Sequence, residues 1–480
     1  MKNIFIEERE IKKPKLYHAL ISLLGLVAVM VIGIVIFGAD PHIPMFIGVI
    51  IASIMAMVLG YKWSDIEGMM IDGISKAMQS VLILAIVGMM IGAWLLSGTI
   101  PTMIYYGLKL LSPKVFLLAT VLICSITSLA TGTSWGPMGT MGLALIGIGA
   151  GLGMPVGPTA GAVISGAYFG DKMSPLSDTT NLAPAMAGTD VFTHVKYMLK
   201  PTLIAYTIAL VFFGVYGFTH AASGTVDDSQ AVIIMDGIKN SFNVNPLLLL
   251  PPLIVILAIA LKIPAIPGIT LGFIAAAILA PIFQPGVSFD NILDASLNGF
   301  VCETEIESLN SLLSSGGLLS MAFSILMVLI AMMYGGIMEG SGQMETIINA
   351  LLKVVRGPAA LIGATEVTAF FANAVMAEQY ISILIPGRMF APAYREKGIH
   401  PKSLSNALES AGTVTSCLIT WNTCCVFIAT TLKITTAQYA PWAVFNYTMP
   451  LITFLLAFAG ITATKMTADE QAKADAGELV

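Results

Sequence analysis

Charge is scarce in this chain. Only 11% of its 480 residues are Asp, Glu, Lys or Arg, where soluble globular proteins carry about 25%. Hydrophobic residues make up 56%, and mean hydropathy is +0.87. This balance excludes a soluble enzyme or binding module and implies an integral membrane protein. Cysteine is also rare. None of the five has metal-ligand spacing, and Cys124, Cys417, Cys424 and Cys425 lie in apolar segments, where the residue reads as a small hydrophobe. The five histidines (His18, His42, His194, His220 and His400) fall near span ends or loops. An intramembrane enzyme would want a nucleophile with a base, and no histidine lies within a predicted break. A net charge of −5, thinly spread, offers no basic patch for nucleic acid. The opening MKNIFIEEREIKKPK lacks a short apolar core followed by a small-residue cleavage site, so the first apolar span is expected to be retained.

What the chain has is long apolar runs, and it has them twice. Runs such as Leu20–Phe37 and Val81–Leu96 suffice to cross roughly 30 Å of hydrocarbon as helices. Lipid offers no partners to the backbone, so these runs must be helices and not barrel strands. Ser97-Gly98 with Thr102, Lys109 and Pro113 recurs as Ser341-Gly342 with Thr346, Lys353 and Pro358. Each half then reaches an apolar stretch that breaks up into small and polar residues, TGTSWGPMGTMG at 131–142 and NAVMAEQY at 373–380. A second interruption follows in each, DKMSPLSDTTN at 171–181 and ESAGTVTSCLITWNT at 409–423. Paired interruptions in two membrane-embedded halves point to a transporter's binding site.

The predicted fold is all-α and polytopic, with two inverted repeats of five transmembrane helices, each holding a re-entrant hairpin and a broken helix. Residues 1–218 form the first repeat, with spans near 17–38, 43–60, 79–97 and 202–218, an arm near 100–112, a hairpin at 115–152 and a broken helix at 156–184. Residues 219–245 form an external linker. Residues 246–462 form the second repeat, with spans near 246–262, 264–284, 316–338 and 441–462, an arm near 344–356, a hairpin at 359–391 and a broken helix at 402–431. Residues 463–480 are a cytoplasmic tail. The hairpin arms read as too short to cross the bilayer singly. Five crossings per unit turn the second unit over. With the N-terminus cytoplasmic, 18 of the 23 Lys and Arg fall inside, Lys109, Lys114, Lys239 and Lys433 outside, and Lys172 within a break, in keeping with the positive-inside rule. Both termini are then cytoplasmic.

A carboxylate at membrane depth costs about 2.5–3.5 kcal/mol on insertion scales, so it marks a pathway or site by default. Asp171, Asp178, Glu378 and Glu409 fall in or beside the four breaks, and Glu366 lies inside the second hairpin's first helix. Around them, Thr133, Ser134, Ser177, Thr179 and Asn181 in the first unit, with Asn373, Gln379, Thr413, Asn422 and Thr423 in the second, supply hydroxyl and amide oxygens. Oxygen-only ligation suits a small hard cation and not a transition metal. A carboxylate among neutral oxygens holds Na⁺ or a proton in turn, which is the simplest basis for exchange. Asp178 with Thr133, Ser134 and Thr179 is the expected Na⁺ set; Asp178, Asp171, Glu378 and Glu409 are the proton-coupling candidates. Asp171 with Lys172 reads alternatively as an ion pair holding the break, and Glu366 and Glu409 as either structural or proton-transferring. No cofactor is expected, since Na⁺ is cargo. A channel, which would pass ions without obligatory proton countermovement, is the rival reading.

The stretches SGAYFGDKMSPLSDTTN at 165–181, PGRMF at 386–390, and ES-GT with WNTC between 409 and 424 resemble the NhaC family of sodium/proton antiporters, in the ion transporter superfamily. The resemblance implies a scaffold domain and a mobile transport domain, often a homodimer working by an elevator motion. It also implies that Ser177-Asp178-Thr179 and Trp421-Asn422-Thr423 line ion and substrate sites. Thr420 stands where a Pro is usual, Cys425 where a Gly is, and Pro137 where a small polar residue is. The family's malate/lactate-type exchangers give the alternative function, a sodium- and proton-coupled organic acid antiporter, with Lys172 and Arg388 to receive a carboxylate.

Overall fold

The computed structural model describes residues 11–222, 228–261, 263–353 and 355–475. The charged opening decapeptide, part of the expected linker and the last tail residues lie outside that set. The chain is an all-α membrane protein. Its helices run α1 Leu16–Val31, α2 His42–Val58, α3 Trp63–Lys76, α4 Met78–Leu96, α5 Thr99–Leu110, α6 Pro113–Thr131, the single turn α7 Trp135–Pro137, α8 Leu143–Gly151, α9 Val156–Met173, α10 Asp178–Ala187, α11 Val191–Ala222 and α12 Asp228–Ser241. They continue as α13 Leu250–Ala260, α14 Ala265–Phe283, α15 Phe289–Asn298, α16 Glu307–Leu313, α17 Leu318–Gly340, α18 Gln343–Leu352, α19 Pro358–Met376, α20 Gln379–Glu396, α21 Pro401–Leu408, α22 Thr423–Leu432, α23 Thr436–Tyr439, α24 Val444–Phe458 and α25 Ala468–Asp475. Among the described residues, β-pairing is limited to two isolated bridges, Phe300 with Ser315 and Ile399 with Lys465.

Among the described residues, seven helices are long and apolar enough to cross a membrane, and ten spans result if each of three bent helix pairs counts as one. Outward-facing Leu122, Ile126, Val211, Val215 and Phe323 present the apolar surface that lipid requires. Each Ser-Gly pair closes one helix and opens the next: Gly98 precedes α5 and Gly342 precedes α18.

Several expectations need correction. The first hairpin arms are longer than the hydropathy pattern indicated. α6 and α19 each have 19 residues, about 28 Å at 1.5 Å per residue, which is itself close to crossing length. They continue through polar residues because those residues are buried in protein: Ser125 donates back to the Val121 carbonyl at 2.7 Å, and Ser128 to the Ala167 carbonyl at 2.6 Å. The stretches 219–245 and 285–315 carry the helices α12, α15 and α16. α15 begins at a capping box in which Ser288 and Asn291 serve each other's backbone, a local start signal independent of hydropathy. α3 also lies outside the expected spans. Its charged residues share a helix with buried Ile66, Met70 and Gly73, an amphipathic pattern too polar to register as an apolar run.

The four interruptions sit where the polar residues put them. α6 ends at Gly132 in the left-handed conformation, and a π-helical stretch Met138–Gly142 precedes α8. α9 stops at Met173, and Ser177 caps the restart at α10. α19 and α20 are parted by Ala377 and Glu378. α21 runs into a π-helical stretch Glu409–Thr413, a 3₁₀ turn Ser416–Leu418, and a turn closed by the Asn422 N–H on the Ile419 carbonyl before Asn422 caps α22.

Candidate functional site

Three of the four breaks open onto one cavity of about 660 Å³, lined by Thr131–Gly136, by Asp171 and Pro175–Thr179 with Asn181, and by Glu378–Tyr380 with Cys424. Gln79, Ser80 and Ile83 of α4, with Ile263–Ala265 and Ile269 at the start of α14, complete the wall. Its charged residues are Asp171, Asp178 and Glu378; among the described residues, no Lys, Arg or His contributes.

Asp171 is the best-held carboxylate. It is buried at the end of α9. The Ser134 backbone N–H donates to Oδ2 at 3.0 Å, and the Ser177 hydroxyl donates to Oδ1 at 2.6 Å. One bond comes from the tip after α6 and the other from the cap of α10, so this side chain ties two breaks together. Both oxygens accept a hydrogen bond, and the side chain lines the cavity. Asp178, the expected centre of the Na⁺ set, sits one residue beyond the Ser177 cap and is exposed at the cavity's lip. Its single described hydrogen bond comes from the Tyr380 hydroxyl, at 3.5 Å to Oδ2. The cap explains the difference: Ser177 turns inward to bond Asp171 and the Thr180 N–H, which leaves the first helical residue facing out.

Glu378 caps α20 in extended conformation and is buried with Oε2 lacking a described partner; Thr423 stands beside it. Just before it, Ala377 adopts φ 53°, an uncommon left-handed conformation for a residue with a Cβ. It is secured by the Thr423 N–H, which donates to the Ala377 carbonyl at 2.9 Å.

Of the candidate residues, Thr133, Ser134, Ser177, Thr179, Asn181 and Gln379 line the cavity. Asn373, Thr413, Asn422 and Thr423 do not; they lie behind it. Asn373 donates to the Gly412 carbonyl at 2.7 Å, and Asn422 donates to the Asn373 Oδ1 at 3.2 Å, so this pair laces α19 to the unwound stretch and to α22. Thr413 lies beside Glu409. Glu409 is fully buried and reaches the site indirectly, accepting from the Thr179 hydroxyl at 3.1 Å. Asp171 and Lys172 form no ion pair. Adjacent on α9, they face different ways, and the Lys172 ammonium donates to Ser410 Oγ at 3.2 Å. Arg388 is exposed and away from the cavity.

Sequence reasoning missed Gln79, Ser80, Trp135, Tyr380 and Cys424. The first two begin an apolar span and carry no distinguishing pattern. Cys424 has the apolar sequence setting of a packing residue, yet it lines the wall and donates its Sγ–H to Gln379 Oε1 at 2.7 Å. Trp135 stacks on Phe427 with ring centroids 4.2 Å apart, pinning the first tip against α22.

A cavity walled by helix breaks in an apolar helical fold and lined, among the described residues, by acids without bases is what a secondary transporter of cations calls for. Residues 166–461 match the Na⁺/H⁺ antiporter family. Similar proteins include the Na⁺/H⁺ antiporter NhaC of Alkalihalophilus pseudofirmus, 37% identical with 94% of this chain and 97% of that one covered. NhaC of Bacillus subtilis is 39% identical, covering 87% and 92%. The malate-2H⁺/Na⁺-lactate antiporter of Bacillus subtilis is 36% identical, covering 90% and 92%. The chain belongs to the Na⁺/H⁺ antiporter family.

Proposed function

We propose that this chain exchanges Na⁺ for H⁺ across the cell membrane by alternating access, with Asp171 as the carboxylate that the two ions share. One observation carries the reading: Asp171, Asp178 and Glu378 line the cavity and, among the described residues, no cationic side chain joins them there. Na⁺ is expected at Asp171 with the hydroxyls of Ser134, Ser177 and Thr179 and freed backbone carbonyls at the breaks. Protons compete for the same oxygens, so each ion leaves when the other arrives. Asp178 at the lip draws cations in, and Glu378 on the opposite wall is the second proton acceptor. Two inverted repeats, a homodimer and cytoplasmic termini complete the proposed architecture.

The malate/lactate relative supplies the other reading, that an organic acid travels too. The wall argues against it. A dicarboxylate would meet three acids there, while Lys172 turns to Ser410 and Arg388 lies outside. Proteoliposomes loaded with a pH-sensitive dye separate the readings. A Na⁺ jump alone is expected to move protons, malate and lactate on opposite sides are expected to change nothing, and Asp171→Asn is expected to remove the signal. Proton movement that appears only with the organic acids would establish the alternative, and undiminished exchange in Asp171→Asn would sink the assignment.

A further inference from the structure

Behind the cavity lies a second group of charges that the exchange reaction, as described, does not use. Lys172 is fully buried on α9. Its charged neighbours are Glu409 at the start of the π-helical stretch and Glu366 in the middle of α19. Buried His194 faces it from α11. The ammonium's described hydrogen bond goes to Ser410 Oγ, which also receives the Thr453 hydroxyl at 3.0 Å and donates to Asn406 Oδ1 at 3.5 Å. Neither carboxyl lies within 4 Å of the ammonium, since the described ion pairs do not include them. Each instead keeps one buried oxygen without a partner, Oε2 of Glu409 and Oε1 of Glu366.

Two buried carboxyls with unpaired oxygens are, by themselves, the makings of a second cation site. A buried carboxyl without a countercharge either takes up a proton or, if it stays ionised, costs several kcal/mol unless something positive stands near it. Here the positive group is a side chain. The group is also wired to the cavity. Asp171 accepts from Ser177, whose hydroxyl lies 3.0 Å from that of Thr179, and Thr179 donates to Glu409. Asp171 and Lys172, consecutive on one helix, thus serve two compartments: the acid faces the transported ion and the base faces the inner carboxyls.

We propose that Lys172 is a tethered counter-cation, holding the position that a second Na⁺ would otherwise take between Glu366 and Glu409, and so fixes how many Na⁺ ions the chain carries. The inference rests on the cavity being the Na⁺ site. The native protein is therefore the control: failure of the purified native chain to bind Na⁺ defeats that reading, whatever the variants do.

The test is Na⁺ titration of the purified full-length protein by calorimetry, with ²²Na⁺ binding as a second readout. Lys172→Met is expected to bind one more Na⁺ per chain than native and to make the Na⁺ dependence of exchange steeper. Lys172→Arg, keeping the charge, is expected to keep the native count. Lys172→Met with Glu366→Gln restores the native balance of one uncompensated carboxyl and is expected to return the count to native. If Lys172→Met alone does not fold, folding of the charge-balanced double variant with the native count supports the proposal. An unchanged count in folded Lys172→Met overturns it. So does failure of both variants to fold, which would make the lysine a packing element.

Discussion

At the scale of single residues, two acids seven positions apart have different tasks. Asp171 accepts two short hydrogen bonds from two different breaks, while Asp178 stands exposed with one long bond. Asp178→Asn is therefore expected to weaken the apparent Na⁺ affinity a few-fold through lost attraction at the lip, with maximal exchange retained; Asp171→Asn is expected to abolish exchange. Initial rates against Na⁺ concentration distinguish the two. Gly132 makes the same point about backbone. It has φ 71°, and a Cβ there would lie 2.7 Å from the Leu176 carbonyl carbon in the facing break. Gly132→Ala should combine about 1–2 kcal/mol of left-handed strain with about 1–3 kcal/mol of overpacking. Gly188, at φ 89° with nothing within 4 Å, shares only the first cost. A larger fall in thermal stability for Gly132→Ala than for Gly188→Ala is expected, and equal falls would show that the tip does not press on the break. The residue types at the site were legible from the sequence, because acids and hydroxyls are costly in lipid unless used. Which acid is buried in the cavity wall was not, because a single serine cap decides it.

At the scale of elements, the breaks are placed by close packing. Gly166 and Gly170, four apart on α9, let that helix lie against α6: a Cβ on Gly166 would be 2.3 Å from the Val121 carbonyl, and one on Gly170 would be 2.5 Å from the Ser125 carbonyl. Backbones this close are the geometry of small residues at helix interfaces. Asp171 is the next residue, so its distance to Ser134 depends on the crossing. Gly170→Ala is expected to lower exchange at limiting Na⁺ and to lower thermal stability by about 1–3 kcal/mol. Stability loss without any change in Na⁺ dependence would mean that the crossing does not set the site. Spans and breaks were readable here because hydropathy reports on lipid. α3, α12, α15 and α16 escaped because they are short or too polar to form apolar runs, and the capping boxes that start α3 and α15 are signals hydropathy alone does not see. The lengths of α6 and α19 escaped for the converse reason: polar residues buried against protein look, in sequence, like an end to the helix.

At the scale of the whole molecule, the orientation expected from the charge count, taken with the cavity, predicts a conformation. The wall includes Gln79, Ser80 and Ile263–Ala265. In sequence these adjoin Lys76 and Lys262, both on the side that the positive-inside rule places in the cytoplasm. With that orientation the cavity opens inward, and Na⁺ would be picked up from the cell interior in this state. Alternating access requires a second state in which the same lining is shut from the cytoplasm and reached from outside. A cysteine at Ala265, on the mouth and half-buried, reports on this, since the native cysteines are all buried. Ala265→Cys is expected to react with a membrane-impermeant thiol reagent in inside-out vesicles and not in right-side-out ones. Asp171→Asn, with that carboxyl gone, is expected to leave the side of labelling unchanged in the Ala265→Cys background while altering the effect of Na⁺ on its rate. Labelling from the outside alone would invert the orientation, and with it the direction in which this state takes up its cargo.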